Sequence, residues 1–202
     1  MLHGLVLTCA GDPGPFHYKR SRRSNADIDR AVAVALDHCK TPSQMLEFSP
    51  YGYDERQFCS PGFNLALGCL MRSVHGTFPE YHTSADNLGF ISAAALNDTL
   101  ELCQSVVRIL EGNDYYVNGS PMCEPQLGRR GLYRSTGGAG IGQENMATLW
   151  VLNQSDGTQS LLDIAEKSKL PFDLIRSAAD ALVNAELLSV CSQPSPLHDC
   201  VA

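Results

Sequence analysis

GLVLTCAGDPGP, residues 4–15, is the stretch that decides the fold class. Leu5 to Cys9 is a short apolar run, and Gly11, Pro13, Gly14 and Pro15 close it abruptly. That pattern reads as a buried strand, because an amphipathic helix needs a longer run at 3- and 4-residue spacing. Such a helix follows: Asn25 is a capping residue, and Ile28, Val32, Ala35, Leu36 and Cys39 form one apolar face. Met45 to Phe48 reads as a second short strand ending at Pro50. The segment YGYDERQFCSPGFNLALGCLMRS starts as a polar loop and becomes a strand over Leu65 to Met71. Ser92 opens a further helix that runs to Glu111, with Gly112 as its stop and Leu96, Leu100, Cys103, Val107 and Leu110 as its expected inner face. Strands alternating with amphipathic helices predict an α/β layered domain over residues 1–112.

The composition changes after that helix. Residues 113–142 are rich in glycine and polar side chains and read as a connector, with a hairpin of Tyr115 to Val117 against Gly131 to Tyr133. Residues 143–192 carry three short helices: Glu144 to Leu152, Leu161 to Ser168 and Phe172 to Glu186. Ser155-Asp156-Gly157 breaks the first, and Ser160 caps the second with Asp163 three residues on. With Leu187 to Val190 as a wing strand, this spacing predicts a small winged helix-turn-helix domain. Residues 193–202 read as a disordered tail.

The winged helix does not read as a DNA reader. Between Gln143 and Val190 three basic residues face seven acidic ones, and the third helix sets Asp173, Asp180 and Glu186 against Arg176 alone. A reader of DNA needs cations for phosphates and donors for base edges. The whole chain of 202 residues has a net charge of −7, which argues against general binding to nucleic acid or anionic membranes. Hydrophobic residues at 44% and charged ones at 18% are ordinary globular values. No apolar run approaches the roughly 20 residues of a membrane span, and the N-terminus has no basic stretch of the signal-peptide kind. The eight cysteines form no CxxC and sit mostly in apolar stretches, as small core hydrophobes of a reduced, cytoplasmic protein do.

Three polar segments interrupt the apolar framework of residues 1–112. Gly11-Asp12 lies at a strand end, where α/β domains place ligands. Tyr53-Asp54-Glu55-Arg56-Gln57-Phe58 precedes a buried strand, and Glu80-Tyr81-His82-Thr83-Ser84-Ala85-Asp86 precedes an apolar run. Histidine and aspartate at strand ends are the usual ligand types of a catalytic zinc, which keeps one position open for water. Each segment also has a plainer reading: His82 as a capped loop residue, Asp12 as a turn residue before Pro13, Asp54 and Glu55 as a solvated turn. The run Lys19, Arg20, Arg22 and Arg23 reads as a solvated basic loop, or as a hold for an anionic part of a substrate.

YDERQFCSPG, RSVHGTFPEYHTSADN and CEPQLGRRGLY, in this order, resemble a bacterial family of aminopeptidase-like proteins related to the zinc aminopeptidases and glutaminyl cyclases. Some of its members are associated with polysaccharide biosynthesis. ENMATLW and LLDIAEKSKLPF are similar to the winged-helix domain in which that family commonly ends. The resemblance implies a phosphorylase/hydrolase-like α/β sheet, zinc as cofactor, and a peptide or amino-acid derivative as substrate. It makes His82 the last metal-binding histidine and Asp86 its neighbour behind the metal. It makes Asp54, with Glu55, part of a loop lining the active site, and Arg56 and Tyr81 contacts to substrate. Asp12 lies near a metal-binding strand-end aspartate of the family, although alignment on the glycine puts Thr8 there. Tyr53 stands where the family more often has serine.

The sequence has no segment like the family's HxCHP or NDN motifs, which carry the first metal-binding histidine and the bridging aspartate; the catalytic glutamate likewise falls outside the match. The resemblance therefore implies the C-terminal portion of an aminopeptidase-like domain. Three functions compete: part of a metal-dependent hydrolase, a non-catalytic remnant or interaction module, and a winged-helix regulator, which the acidic third helix disfavours. An apolar sheet edge is expected where further strands would pair, and with it self-association or association with a missing N-terminal half.

Overall fold

The computed structural model describes residues 3–132 and 142–191. They fall into two compact units, one through Leu110 and one from Glu111. The expected tail, and Tyr133 of the expected hairpin, lie outside the described residues.

In the first unit a four-stranded sheet has the order β1-β4-β2-β3. Its strands are β1 (Gly4–Leu7), β2 (Phe16–Lys19), β3 (Ser43–Leu46) and β4 (Leu67–Met71). β1 runs parallel to β4, β2 parallel to β3, and β2 antiparallel to β4. β4 is central and wholly buried, and its neighbour β2 places Phe16, Tyr18 and Lys19 inside. β2 is a strand that the sequence pattern does not predict, and it takes in Lys19 of the expected basic loop. Its alternation is hidden by His17 and by a lysine that is buried only because it finds an anion.

A buried carboxylate ties this sheet to α1 (Asp27–Asp37). Asp29, fully buried, accepts hydrogen bonds from the Tyr18 hydroxyl (3.0 Å), the Ser21 amide (2.7 Å) and hydroxyl (2.6 Å), and the Ala26 amide (3.0 Å). The helix therefore starts one residue after the expected Asn25: Ala26 is the N-cap, and Asp29 reaches back to satisfy its N–H. Burial and the Asp29 carboxylate push the Tyr18 phenol far above its ordinary pKa, so it stays a neutral donor. Gly68 on β4 lies against the Tyr18 ring so closely that an added Cβ would overlap its hydroxyl.

A short helix, α2 (Glu55–Phe58), interrupts the segment expected to be a polar loop. The long helix α3 (Ala93–Glu111) begins at Ser92 as expected, with the Ser92 hydroxyl accepting from the Ala95 amide at 3.1 Å. Its buried face differs from the expected one: Ala95, Thr99, Leu102, Val106 and Ile109 are inside, whereas Leu96, Leu100 and Val107 are 45%, 54% and 51% exposed.

The second unit is a three-stranded antiparallel sheet of order β6-β5-β7 with three helices. Its elements are β5 (Tyr115–Asn118), α4 (Gln143–Gln154), β6 (Asp156–Ser160), α5 (Leu161–Ser168), α6 (Phe172–Asn184) and β7 (Leu188–Cys191). Tyr115–Asn118 does not form the expected hairpin with Gly131. It pairs with β6 and β7, and Gly131 ends a 3-10 turn over Leu127–Arg130. The Ser160–Asp163 capping box forms as expected, and Leu161, Leu162, Ile164, Ile175 and Leu182 close the core between the helices. The fold is thus mixed α/β plus a winged helix-turn-helix. No helix among the described residues is long and apolar enough to cross a membrane.

Candidate functional site

The frame of the site is built where β1 and β4 end. Arg72, buried at the end of β4, donates to the Gly14 carbonyl (3.0 Å), the Ala95 carbonyl (3.3 Å) and Asp98 (3.0 Å), with its guanidinium 4.6 Å from the Phe16 ring centre. Asp12 is 2% exposed. One of its oxygens accepts from the Gly14 amide (2.8 Å) and the Ser73 hydroxyl (2.6 Å), and the other from the Ser73 amide (3.2 Å). Thr99 adds a hydrogen bond to the Ala10 carbonyl at 2.8 Å. Together these polar contacts tie the β1–β2 loop, the end of β4 and the start of α3 into one rigid rim.

On that rim sits a linked array of aromatic rings and histidines. The Tyr53 and Tyr81 hydroxyls are 2.9 Å apart, and the Tyr53 hydroxyl is 3.7 Å from the Cys9 sulfur. Tyr81 meets the His82 ring edge-on at 4.1 Å between centres, and Tyr53 meets His75 at 5.1 Å in the same manner. Tyr51 flanks His75 at 5.8 Å, and Phe78 backs Tyr81 at 5.5 Å. Cys9 and His82 both have positive φ, 44° and 57°. Such conformations are uncommon for side chains with a Cβ and collect at functional sites. Burial, then the hydrogen bonds with Tyr81 and Cys9, push the Tyr53 phenol above its ordinary range, so at neutral pH it is a neutral hydroxyl. Nδ1 of His75 is buried with no partner among the described residues, an open hydrogen-bonding position beside the two tyrosines.

The loop that carries Tyr51 and Tyr53 is pinned by a buried ion pair. Lys19 Nζ lies 2.6 Å from Glu55 Oε1 and donates to the Tyr51 carbonyl at 2.6 Å and the Ser49 carbonyl at 3.1 Å, so its three protons are all used. The two side chains are 5% and 1% exposed. Gly52 passes over the pair so closely that a Cβ would overlap both groups.

The expected site residues are therefore distributed unequally. Tyr81 and His82 join the array. Asp54, Arg56 and Asp86 are exposed on surface turns and α2, with no hydrogen bond from Asp54 into that helix's N-terminus. Glu55 gives one oxygen to Lys19, and both oxygens of Asp12 are taken up by Gly14 and by Ser73 at the end of β4. The basic run is not a free anion hold either: Lys19 is buried, Arg20 meets Glu47 at 3.5 Å, and Arg22 and Arg23 donate to Asn64. Cys9, His75 and Tyr51 escaped the sequence reading. For His75 a signal existed, a second histidine seven residues before His82 in RSVHGTFPEYH. Zinc fits poorly here: among the described residues no three His, Cys, Asp or Glu side chains converge as a metal site requires.

In the winged-helix unit the one cation of α6 is already engaged. Arg176 donates to the Gly112 carbonyl (3.0 Å), Asp114 (3.2 Å) and Asp180 (3.1 Å).

A family model described as a domain of unknown function (DUF4910) matches residues 1–113, and a winged helix-turn-helix model matches residues 114–190. A Clostridium acetobutylicum protein, named as a polysaccharide biosynthesis protein with an aminopeptidase-like domain, is 49% identical over 188 residues. That alignment covers 93% of this chain and 43% of the relative. A crystal structure from the same organism, named as that of a peptidase, superposes with a TM-score of 0.86 at 46% identity, over 95% of this chain and 42% of the other. The chain thus spans less than half the length of the relatives it matches. Over its first 113 residues it belongs to the family described as domain of unknown function DUF4910, joined here to a winged helix-turn-helix.

Proposed function

We propose that this chain supplies one wall of the active site of a peptidase-like hydrolase that is metal-dependent and acts on a peptide or another amide of an amino acid. The observation that carries the reading is the His82–Tyr81–Tyr53–His75 array at the ends of β1 and β4, in a chain 49% identical to a protein named for its aminopeptidase-like domain. In this reading His82, exposed and held at positive φ, is the metal-binding histidine. Asp86 stands behind that histidine, Asp54 lines the active site, and Arg56 contacts the substrate. Tyr53 is a neutral hydroxyl, and it and Tyr81, 2.9 Å apart, can hydrogen-bond a substrate carbonyl. The remaining ligands and the proton-transferring carboxylate lie outside the residues described.

The second reading, a non-catalytic interaction module, is favoured by one observation: Asp12 and Glu55 are each engaged internally. Under either reading the winged helix serves protein packing, since Arg176 is neutralised by Asp114 and Asp180. The cysteines fit a reduced, cytoplasmic protein: Cys9, Cys39, Cys59, Cys69, Cys103 and Cys123 are free thiols. The deciding experiment is elemental analysis of the protein purified without chelator, beside His82→Ala. Near-stoichiometric zinc that disappears in the variant supports the hydrolase reading. Absence of metal from both proteins leaves the interaction module.

A further inference from the structure

α3 carries two apolar stripes, and the fold uses one of them. Ala95, Thr99, Leu102, Val106 and Ile109 are buried. Leu96, Leu100, Cys103, Val107 and Leu110 recur at 3- and 4-residue spacing beside them, and the three largest exposures are about half of each side chain. A helix apolar on both faces is a buried helix, and a continuous exposed apolar stripe marks an interaction surface. The same unit leaves a second apolar feature open. β1 pairs with β4 on one side only, and Gly4-Leu5-Val6-Leu7 carries no charge or proline to guard its free edge, with Leu7 49% exposed. At the opposite edge β3 presents Ser43 and Gln44, the ordinary polar protection of an edge strand. Leu88 and Phe63 are also exposed in this unit, but they stand singly in loops, whereas β1 and α3 present apolar side chains along a regular element.

We infer that the Leu96–Leu100–Val107 stripe of α3 is a docking face for the further polypeptide that the Clostridium relatives carry outside the aligned region. The occupant follows from proportion. This chain aligns over more than nine-tenths of itself, yet over only 43% and 42% of the two relatives. Both open apolar features lie in the unit that the domain of unknown function DUF4910 covers. The inference rests on the aminopeptidase-like reading of that unit, but not on metal or on His82.

The test is co-expression of the full chain with the unaligned segment of the Clostridium acetobutylicum relative, followed by affinity purification and light scattering. The comparison is wild type, Leu100→Lys/Val107→Lys, and Gln104→Lys as an exposed control on the same helix. Expected are a 1:1 complex with wild type and with Gln104→Lys, and at least tenfold less co-purified segment with the double variant. The double variant alone should melt with wild type, because both side chains are already half in water. Equal retention by all three proteins, or no complex with wild type, overturns the inference. So does a wild-type homodimer that the double variant splits, which puts a second copy on this face. A complex that forms but holds no zinc would sink the metal-dependent hydrolase while leaving the docking face standing.

Discussion

Removing either partner of the Lys19–Glu55 pair should cost far more than removing both. The pair is almost fully excluded from water, at 5% and 1% exposure, with a separation of 2.6 Å. Losing one partner of such a pair leaves an uncompensated buried charge and costs about 3–5 kcal/mol, whereas apolar replacement of both is often near neutral. The two singles should not be equal. Lys19→Met also strands the Tyr51 and Ser49 carbonyls that Nζ now satisfies, each worth about 1 kcal/mol. Glu55→Gln keeps an acceptor for the ammonium, so its loss should fall at or below the low end of that range. Lys19→Met/Glu55→Leu should recover most of the charge penalty but not the two carbonyls. The assay is urea unfolding, followed by far-UV circular dichroism, of wild type, Lys19→Met, Glu55→Leu and Lys19→Met/Glu55→Leu as the cycle, with Glu55→Gln beside them. Fluorescence of Trp150, the chain's single tryptophan, follows the winged-helix unit separately. A coupling energy of at least about 2 kcal/mol between the two positions is expected from contacting buried charges. Singles that each cost under about 1 kcal/mol and simply add would refute the reasoning, and with it the view that this pair pins the tyrosine-bearing loop.

Gly68→Ala should destabilise by at least about 2 kcal/mol, measured by the same unfolding, because the new Cβ meets a Tyr18 ring held in place by Asp29. A wild-type midpoint would mean that Tyr18 can move. Ser160→Ala should cost about 1 kcal/mol by removing the α5 cap, and the Trp150 transition should register it first. For Asp98, partial burial opposes ionisation, but the Thr41 hydroxyl and the Arg72 guanidinium outweigh it and hold the carboxyl below its ordinary value. A depressed folded pKa gives stability that is present above the ordinary carboxylate value and is lost as pH falls through the folded one. Asp98→Asn should therefore narrow the stability difference between pH 6 and pH 3. An unchanged difference would remove Asp98 from the account.

Elements that local chemistry dictates were legible in the sequence. The strands at Leu5 and Leu65, the Ser92 and Ser160 caps and the three helices of the winged unit each follow from a few adjacent residues. What was not legible depends on residues far apart in the chain. Lys19 reads as part of a basic loop until Glu55, 36 positions on, makes its burial possible. The Tyr115 strand finds its partners at Asp156 and Leu188 rather than across the nearest turn. The site was legible to the same degree. Strand-end polar segments and the Tyr81–Asp86 loop point to Tyr81 and His82 of the candidate array, but the contacts that assemble it join residues 28 and 44 positions apart.

The buried face of α3 is the most instructive difference. Periodicity selects the stripe with the larger side chains, Leu96, Leu100, Val107 and Leu110, over one that begins with Ala95 and Thr99. The fold buries the second stripe because Thr99 bonds the Ala10 carbonyl and Arg72 grips the Ala95 carbonyl, which fixes the rotation of the helix at its first turn. A hydrophobicity count carries no information about those two polar contacts. The stronger stripe is therefore not an error of pattern but a pattern that belongs to a second interface. A sequence that places leucines at half-exposed positions of a 19-residue helix is expected to bury them in its working assembly, since exposed apolar stripes promote association. Substituting Leu96 or Leu100 by Lys should thus leave the melting of the isolated chain almost unchanged, while Leu102→Ala, on the buried stripe, should cost about 2–5 kcal/mol. Comparable losses at both stripes would mean that α3 is already enclosed on all sides, and the docking face would have to be given up.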